Sequence, residues 1–173
     1  MEIRLAEKKD IDRIMQIIAD ARESIGRLGI DQWQYGYPTR DIIKEDVALR
    51  RGYVALENGE ICATFALINN GEPTYNKIYC GAWLNDGKYI ALHRIAISGD
   101  QRGRGVAKEI ISFLCDYAIK NGFGSVKVDT HTGNLPMRKM LEKNGFEYCG
   151  TIHLHDGQVR VAYEKLVDVK ITE

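Results

Sequence analysis

From Leu92 to Ala107 the chain reads Leu-His-Arg-Ile-Ala-Ile-Ser-Gly-Asp-Gln-Arg-Gly-Arg-Gly-Val-Ala. An apolar run is followed by a turn that holds three glycines and two arginines. Beyond it Val106, Ile110, Phe113 or Leu114, and Tyr117 recur at helical spacing. The pattern predicts a strand, a glycine-rich loop and a helix N-terminus in succession. Such an arrangement binds anions. Glycines let the backbone approach a phosphate, and the N–H groups of the first helical turn point at it along the helix dipole. Arg102 and Arg104 add forked donors that match phosphate oxygens. A phosphate-bearing ligand is expected here.

The bulk of the chain narrows the classes. At 173 residues, with 45% apolar and 28% charged residues, it has the composition of a globular protein with a sizeable core. Lys plus Arg number 24 and Asp plus Glu also 24, so no global field draws nucleic acid or an anionic membrane. The N-terminus lacks a signal-peptide layout and no stretch reaches membrane-spanning length, which predicts a cytoplasmic protein. Cys62, Cys80, Cys115 and Cys149 are scattered without metal-type spacing, so buried reduced thiols and no metal site are expected.

Elsewhere the pattern predicts alternating elements. Ile3 and Leu5 mark a first strand. Asp10 stands where it would cap a helix whose apolar positions are Ile11, Ile14, Met15, Ile18, Ala21 and Ile25. The irregular segment from Gly29 to Pro38 carries Trp33, Tyr35 and Tyr37, which either pack over the core or line a pocket. Thr39 predicts a second helix cap. Strands follow over residues 53–57 and 61–68, joined at Asn58-Gly59, a hairpin signal. Residues 69–88 read as loop, with 79–83 a loop or an irregular strand. Tyr89 to Ile97 forms the fourth strand and Ser125 to Thr130 the fifth. Asn134 would then cap a short helix with Pro136 in its first turn. Two last strands meet at Asp156-Gly157. The class is a mixed α/β sheet.

Three kinds of phosphate loop compete. A nucleoside-triphosphate loop requires Gly-Lys-Ser/Thr, which does not occur in the sequence. A dinucleotide fingerprint requires a third glycine, where this chain has Lys108. The segment Arg102-Gly-Arg-Gly105-Val-Ala107 instead resembles the Arg/Gln-x-x-Gly-x-Gly/Ala acyl-CoA loop of the GCN5-related N-acetyltransferases. Asn134-x-x-Met137-x-x-Met-Leu-Glu-Lys-x-Gly145-Phe146 is similar to that family's helix after strand five. The element order resembles the family from Ile3 to Lys165. The residues Gln32-Trp33 and Gly36-Tyr37-Pro38 look like those of a bacterial subgroup with poorly defined substrates.

The resemblance implies a single acetyltransferase domain over residues 1–173. It also implies a mostly antiparallel sheet of six to seven strands flanked by about four helices, splayed between strands four and five. Acetyl-CoA would be the co-substrate. Its pantetheine arm would lie along Ile95, Ala96 and Ile97, bonded to the backbone of Ile95 and Ile97. Its pyrophosphate would sit on the N–H groups of Arg102, Gly103, Arg104, Gly105, Val106 and Ala107. Asn134 would contact the cofactor near its thiol, although a cap alone would also justify it. Lys143 or Arg138 could reach the nucleotide, and Lys143 also reads as plain surface charge. A homodimer through the last strands is common in the family.

The implied chemistry is direct attack of an amine on a thioester. The amine must be neutral, against an ordinary lysine pKa of about 10.4, and the thioester oxygen needs a positioned donor. By resemblance that donor is the Ile95 N–H. His93 aligns where many relatives carry a water-ordering glutamate, and a pKa near ~6.5 suits a base. A satisfied core histidine is the equal alternative, and in an unbroken strand His93 would share a face with Ile95 and Ile97. His131 is the second candidate base, with Glu57, Glu60 and Asp129 possible through water. His153 and His155 read as a solvated edge. Where the family usually places a proton-donating tyrosine, this chain has Leu141, leaving water or a tyrosine such as Tyr148. Trp33 and Tyr37 are the expected acceptor contacts. A small amine is the expected acceptor, with a protein N-terminus or lysine as the alternative. A non-catalytic acyl-CoA-binding or partner-binding module is the rival from another class.

Overall fold

A computed structural model describes residues 1–168. The elements in order are β1 (Glu2–Leu5), α1 (Ile11–Gly26), α2 (Arg40–Ala48), β2 (Gly52–Glu57), β3 (Glu60–Ile68), β4 (Tyr89–Ile97), α3 (Val106–Lys120), β5 (Ser125–Thr130), α4 (Leu135–Lys143), β6 (Glu147–His153) and β7 (Val159–Leu166). The strands form one seven-stranded sheet in the order β1-β2-β3-β4-β5-β7-β6. The parallel pairing joins β4 to β5, over Tyr89–Ala91 against Ser125–Lys127. The last strand, β7, lies between β5 and β6 and is antiparallel to both. The expected mixed, mostly antiparallel α/β class is therefore the one the chain adopts.

Two compact units make up the described chain: Met1–Leu67 with His93–Ile110, and Ile68–Leu92 with the described residues from Ile111 onward. In the first, α1 turns Ile11, Ile14, Ile17, Ile18 and Ala21 inward. They pack with Ile43 of α2, Val54 and Leu56 of β2, and Ala96 of β4. Ile17 is fully buried although the sequence pattern passes over it, because a stripe wider than the minimal i, i+3, i+4 set still faces the core. Thr39 caps α2 as expected, its hydroxyl accepting from the Ile42 N–H at 3.3 Å. The β2–β3 hairpin turns through Asn58 and Gly59, both with positive φ, as a tight primed turn demands.

Asp10 departs from expectation. It stands at the N-cap position of α1 but its carboxylate makes no cap bond there. A short 3-10 turn over Lys8–Asp10 precedes the helix, and the carboxylate reaches back to the Glu7 N–H at 2.8 Å. Arg4 of β1 meets the same carboxylate through two donors at 2.7 and 3.1 Å. Asp10 thus fastens the first strand to the helix entry.

In the second unit, β5 turns Val126 and Val128 into the core, at 0% and 2% exposure. The alternate residues Ser125, Lys127 and Asp129 are polar, and the segment over residues 69–88 covers them. Tyr75 donates its hydroxyl to Asp129 at 2.6 Å. The Lys127 ammonium lies over the rings of Trp83 and Tyr89, 4.3 and 4.2 Å from their centroids. The fully buried Glu164 of β7 accepts from the Leu84 N–H and the Ser125 hydroxyl, with Lys127 at 3.9 Å. Burial holds the Lys127 pKa below its ordinary value, against the pull of Glu164. Burial, with the Asp129 charge adding to it, pushes the Tyr75 phenol well up. Asn134 accepts from the Met137 N–H at 3.2 Å and so caps α4, as its position predicts. Among the described residues no helix is long and apolar enough to cross a membrane.

Two outcomes follow for the folded chain. The Arg4 hydrogen bond holds the Asp10 carboxyl below the usual carboxylate range, even though burial opposes it. That stabilisation is complete above a pH of about 4 and fades as pH falls through the depressed pKa. Asp10→Asn should lower stability at neutral pH by about 2 kcal/mol. Urea unfolding at a series of pH values should show the gap between variant and parent closing on acidification. A gap that stays constant from neutrality to acid would contradict the Arg4–Asp10 assignment. Among the thiols, Cys80 is exposed, Cys62 and Cys149 are buried and Cys115 is half-buried. Burial pushes Cys149 up to about 11 and raises Cys62 and Cys115 too. A disulfide reagent at mildly alkaline pH should modify Cys80 first and Cys149 only after denaturation, as read by mass spectrometry.

Candidate functional site

Strand β4 does not run unbroken. Arg94 has φ of +53° in the middle of it, a left-handed conformation that costs a non-glycine residue roughly 1–2 kcal/mol. The strict in-out alternation therefore fails at this point. Ile90, Ala91 and Leu92 are all buried, then His93, Arg94 and Ile95 are all half-buried. The left-handed residue interrupts the regular pleat between His93 and Ile95, and the Nε2 of His93 lies out of solvent.

After Ile97 the chain enters the glycine-rich loop, anchored by the Ser98 N–H on the Cys62 carbonyl at 2.8 Å. Gly103 and Gly105 take φ of +77° and +87°, which explains glycine at both positions. A Cβ at either would meet nothing within 4 Å, so conformation rather than crowding excludes a side chain. The loop delivers the chain into α3 at Val106, whose first-turn N–H groups have no intrahelical acceptor. Arg102 and Arg104 are exposed beside it. The Arg102 guanidinium donates to the Ile97 carbonyl at 3.2 Å and to the Ser24 hydroxyl of α1 at 2.7 Å. Left-handed glycines, a helix N-terminus and two exposed arginines suit a pyrophosphate.

The aromatic segment before α2 divides its three rings. Trp33 packs against the core cluster of the first unit. Tyr35 is 84% exposed. Tyr37 is partly exposed, and its hydroxyl accepts from Arg94 Nη1 at 3.0 Å. Arg22 of α1 fastens the segment by donating to the carbonyls of Trp33, Gly36, Tyr37 and Pro38, at 3.0 to 3.3 Å. The Tyr37–Pro38 peptide is cis.

Behind Tyr37 stands a buried carboxylate that the sequence did not single out. Asp46 of α2 is 2% exposed. It accepts from Arg94 Nε at 2.9 Å and Arg94 Nη2 at 2.8 Å, a bidentate pair, and from Arg51 Nε at 2.7 Å. Arg51 also donates to Glu45 at 3.0 Å. A cavity of about 10 Å³ touches Asp46, Arg94 and Thr64, room for no more than a water molecule. One signal could have found this network: an arginine inside an otherwise apolar strand must meet a partner when the strand is buried. Asp46 itself, in a polar helix, carried none.

The other expected site residues belong to the second unit. His131 Nδ1 accepts from the Gly133 N–H at 2.9 Å. A neutral His131 therefore carries its proton on Nε2 and is a donor there. Asn134 is 7% exposed and engaged in its cap. Lys143 is exposed. Arg138 donates to the Tyr163 hydroxyl and the Thr132 carbonyl, both at 3.0 Å, and Tyr163 in turn donates to Glu142. Tyr148 is half exposed and meets Tyr163 edge-on. Leu141 is fully buried, a core side chain. Among the described residues no group of three or more His, Cys, Asp and Glu side chains could hold a metal ion.

The chain as a whole is similar to known proteins. The sequence model of the acetyltransferase (GNAT) family matches residues 12–146. A crystal structure of a GNAT-family acetyltransferase from Streptococcus agalactiae is similar with a TM-score of 0.87 and 40% identity, covering 96% of this chain and 95% of that one. A GNAT-family acetyltransferase from Listeria monocytogenes shares the fold with a TM-score of 0.72 at 20% identity, covering 96% and 94%. An N-acetylaspartate synthetase from Xenopus tropicalis is 25% identical over 79 residues, which is 44% of this chain and 29% of that protein.

Proposed function

This chain belongs to the GNAT acetyltransferase family and is an acetyl-CoA-dependent N-acetyltransferase; from that premise we propose that it acetylates the primary amine of a small molecule by direct attack in a ternary complex. Residues 1–173 would act together as one acetyltransferase domain. The observation that carries the reading is the passage from β4 through left-handed Gly103 and Gly105 into the N-terminus of α3. That passage offers backbone donors to an anion directly after β4, whose pairing with β5 spans Tyr89–Ala91. Bound acetyl-CoA supplies the thioester: the amine nitrogen bonds to its carbonyl carbon, the C–S bond breaks, and the sulfur leaves as thiolate while the nitrogen gives up a proton.

The chain's own groups have separate tasks. The N–H groups of Arg102 to Ala107 hold the pyrophosphate, with the two arginine side chains adding charge. The backbone of Ile95, Ala96 and Ile97 receives the pantetheine arm as an added strand. The Ile95 N–H donates to the thioester oxygen as charge develops on it. His93 takes the amine proton, directly or through water. Asn134 and Lys143 are further groups that the family resemblance assigns to the cofactor, and His131, with its proton on Nε2, orients rather than deprotonates. Leu141 offers no proton. With an intrinsic thiol pKa near ~8.5 the thiolate can leave and take its proton from water. Trp33, packed into the core, forms the floor of the acceptor side, and Tyr37 its polar wall.

The small-amine reading draws on the clamped aromatic segment, which four carbonyl bonds from Arg22 hold in place. One relative is named for making N-acetylaspartate, a small acetylated amine. The test is a thermal-shift titration with acetyl-CoA and CoA, followed by thiol release over a panel of small amines and peptides. Acetyl-CoA should raise the melting temperature and small amines should release thiol. Binding without release on any acceptor would mark a binding module, and faster release on peptides a protein acetyltransferase. His93→Gln should lower kcat by about 10²–10⁴-fold while the KM for acetyl-CoA stays the same. An unchanged kcat would exclude His93 as the base.

A further inference from the structure

Arg94 occupies an expensive position. Its left-handed φ of +53° would suit glycine, the rest of β4 apart from His93 and Tyr89 is apolar, and its side chain is 11% exposed. Glycine would give the same backbone conformation without strain and without a charge to bury. A guanidinium held there must be doing something that the backbone alone does not require. Its three engaged nitrogens show what. Nε and Nη2 are locked on the Asp46 carboxylate, and Asp46 is itself held by Arg51. Nη1 then has one direction left, and it meets the Tyr37 hydroxyl at 3.0 Å.

The chemistry of that last bond has a definite sense. A guanidinium can only donate. Tyr37 is therefore the acceptor, and its hydroxyl proton is released from that contact to donate elsewhere. Tyr37 is 41% exposed, and its bond to Arg94 lies at the surface. Tyr35, two residues earlier and 84% exposed, has no such backing in the hydrogen bonds of the segment. The strut starts one residue before Ile95, so a single residue ties the left-handed point of β4 to the aromatic segment.

We propose that Arg94, anchored on Asp46, is a positioning residue that holds the Tyr37 hydroxyl as a donor to a carboxylate or carbonyl oxygen of the acceptor. The chain thereby selects amines that carry such an oxygen close by, of which α-amino acids and their amides are the simplest. This specificity rests on the reading of the chain as a small-amine acetyltransferase. Arg94 touches neither reacting atom. It acts through Tyr37.

The experiment measures thiol release by the full-length protein on three matched probe sets: L-amino acids, their α-amides, and the corresponding decarboxylated amines. Parent protein should prefer the first two sets. Tyr37→Phe removes one hydroxyl and should raise KM for the amino acids or amides about tenfold. KM for the decarboxylated amines and for acetyl-CoA should stay within about twofold. Arg94→Lys and Asp46→Asn should reproduce that split, and Arg94→Gly should do so even where its melting temperature equals or exceeds that of the parent. Tyr35→Phe is the control and should shift neither constant. The proposal is overturned if Tyr37→Phe changes all three probe sets alike or none of them. It is also overturned if Arg94→Gly keeps the preference. Failure of the parent protein to release thiol from any probe would instead overturn the small-amine reading on which the proposal stands.

Discussion

A left-handed arginine in the middle of a strand persists only if its surroundings hold it there, and here the holder is the Asp46 carboxylate. Asp46 is almost fully buried and would be costly to leave alone. Two arginines neutralise it, one from β4 and one from the turn after α2. The arrangement is reciprocal. Arg94 needs a buried anion to lie inside the strand, and Asp46 needs Arg94 and Arg51 to lie inside the helix packing. The remaining nitrogen of Arg94, Nη1, then reaches the Tyr37 hydroxyl, so the buried pair also fixes one side of the aromatic segment.

The glycine loop shows how little side-chain chemistry the proposed anion site requires. Two glycines in left-handed conformation and one helix terminus supply the donors. The arginines are free of the packing and sit at the surface, with Arg102 turned back onto Ser24 and the Ile97 carbonyl. The second unit follows a different rule. Its polar β5 face is closed over by Tyr75, Trp83 and Tyr89, and Glu164 and Asp129 are satisfied internally. Those groups stabilise a covered surface and are spoken for.

Much of this was readable from residue order. The glycine pattern after an apolar strand, the Thr39 and Asn134 caps and the two hairpin dipeptides all have local causes, and local causes show in sequence. What escaped has a tertiary cause. Asp10 stands where a helix cap belongs, yet Arg4 and the Glu7 N–H claim its carboxylate. Ser125-Val-Lys-Val-Asp129 alternates like a half-solvated strand, and only the fold of residues 69–88 shows that both faces are covered. Asp46 looks like any helical surface acid until the arginine of β4 is brought to it. The division of Trp33, Tyr35 and Tyr37 among core, solvent and hydrogen bond was equally undecidable from composition, since three neighbouring aromatic residues carry the same signal.

Acetyl-CoA binding to the full-length, isotope-labelled protein, followed by amide NMR, is the most direct test of the site. With the pyrophosphate on the loop and the pantetheine along β4, the amides of Gly103 to Ala107 should show the largest shifts. Those of Ile95 and Ile97 should move with the same affinity, and CoA should reproduce the loop shifts. If acetyl-CoA binds while the amides from Gly103 to Ala107 stay in place, the glycine loop is not the cofactor site.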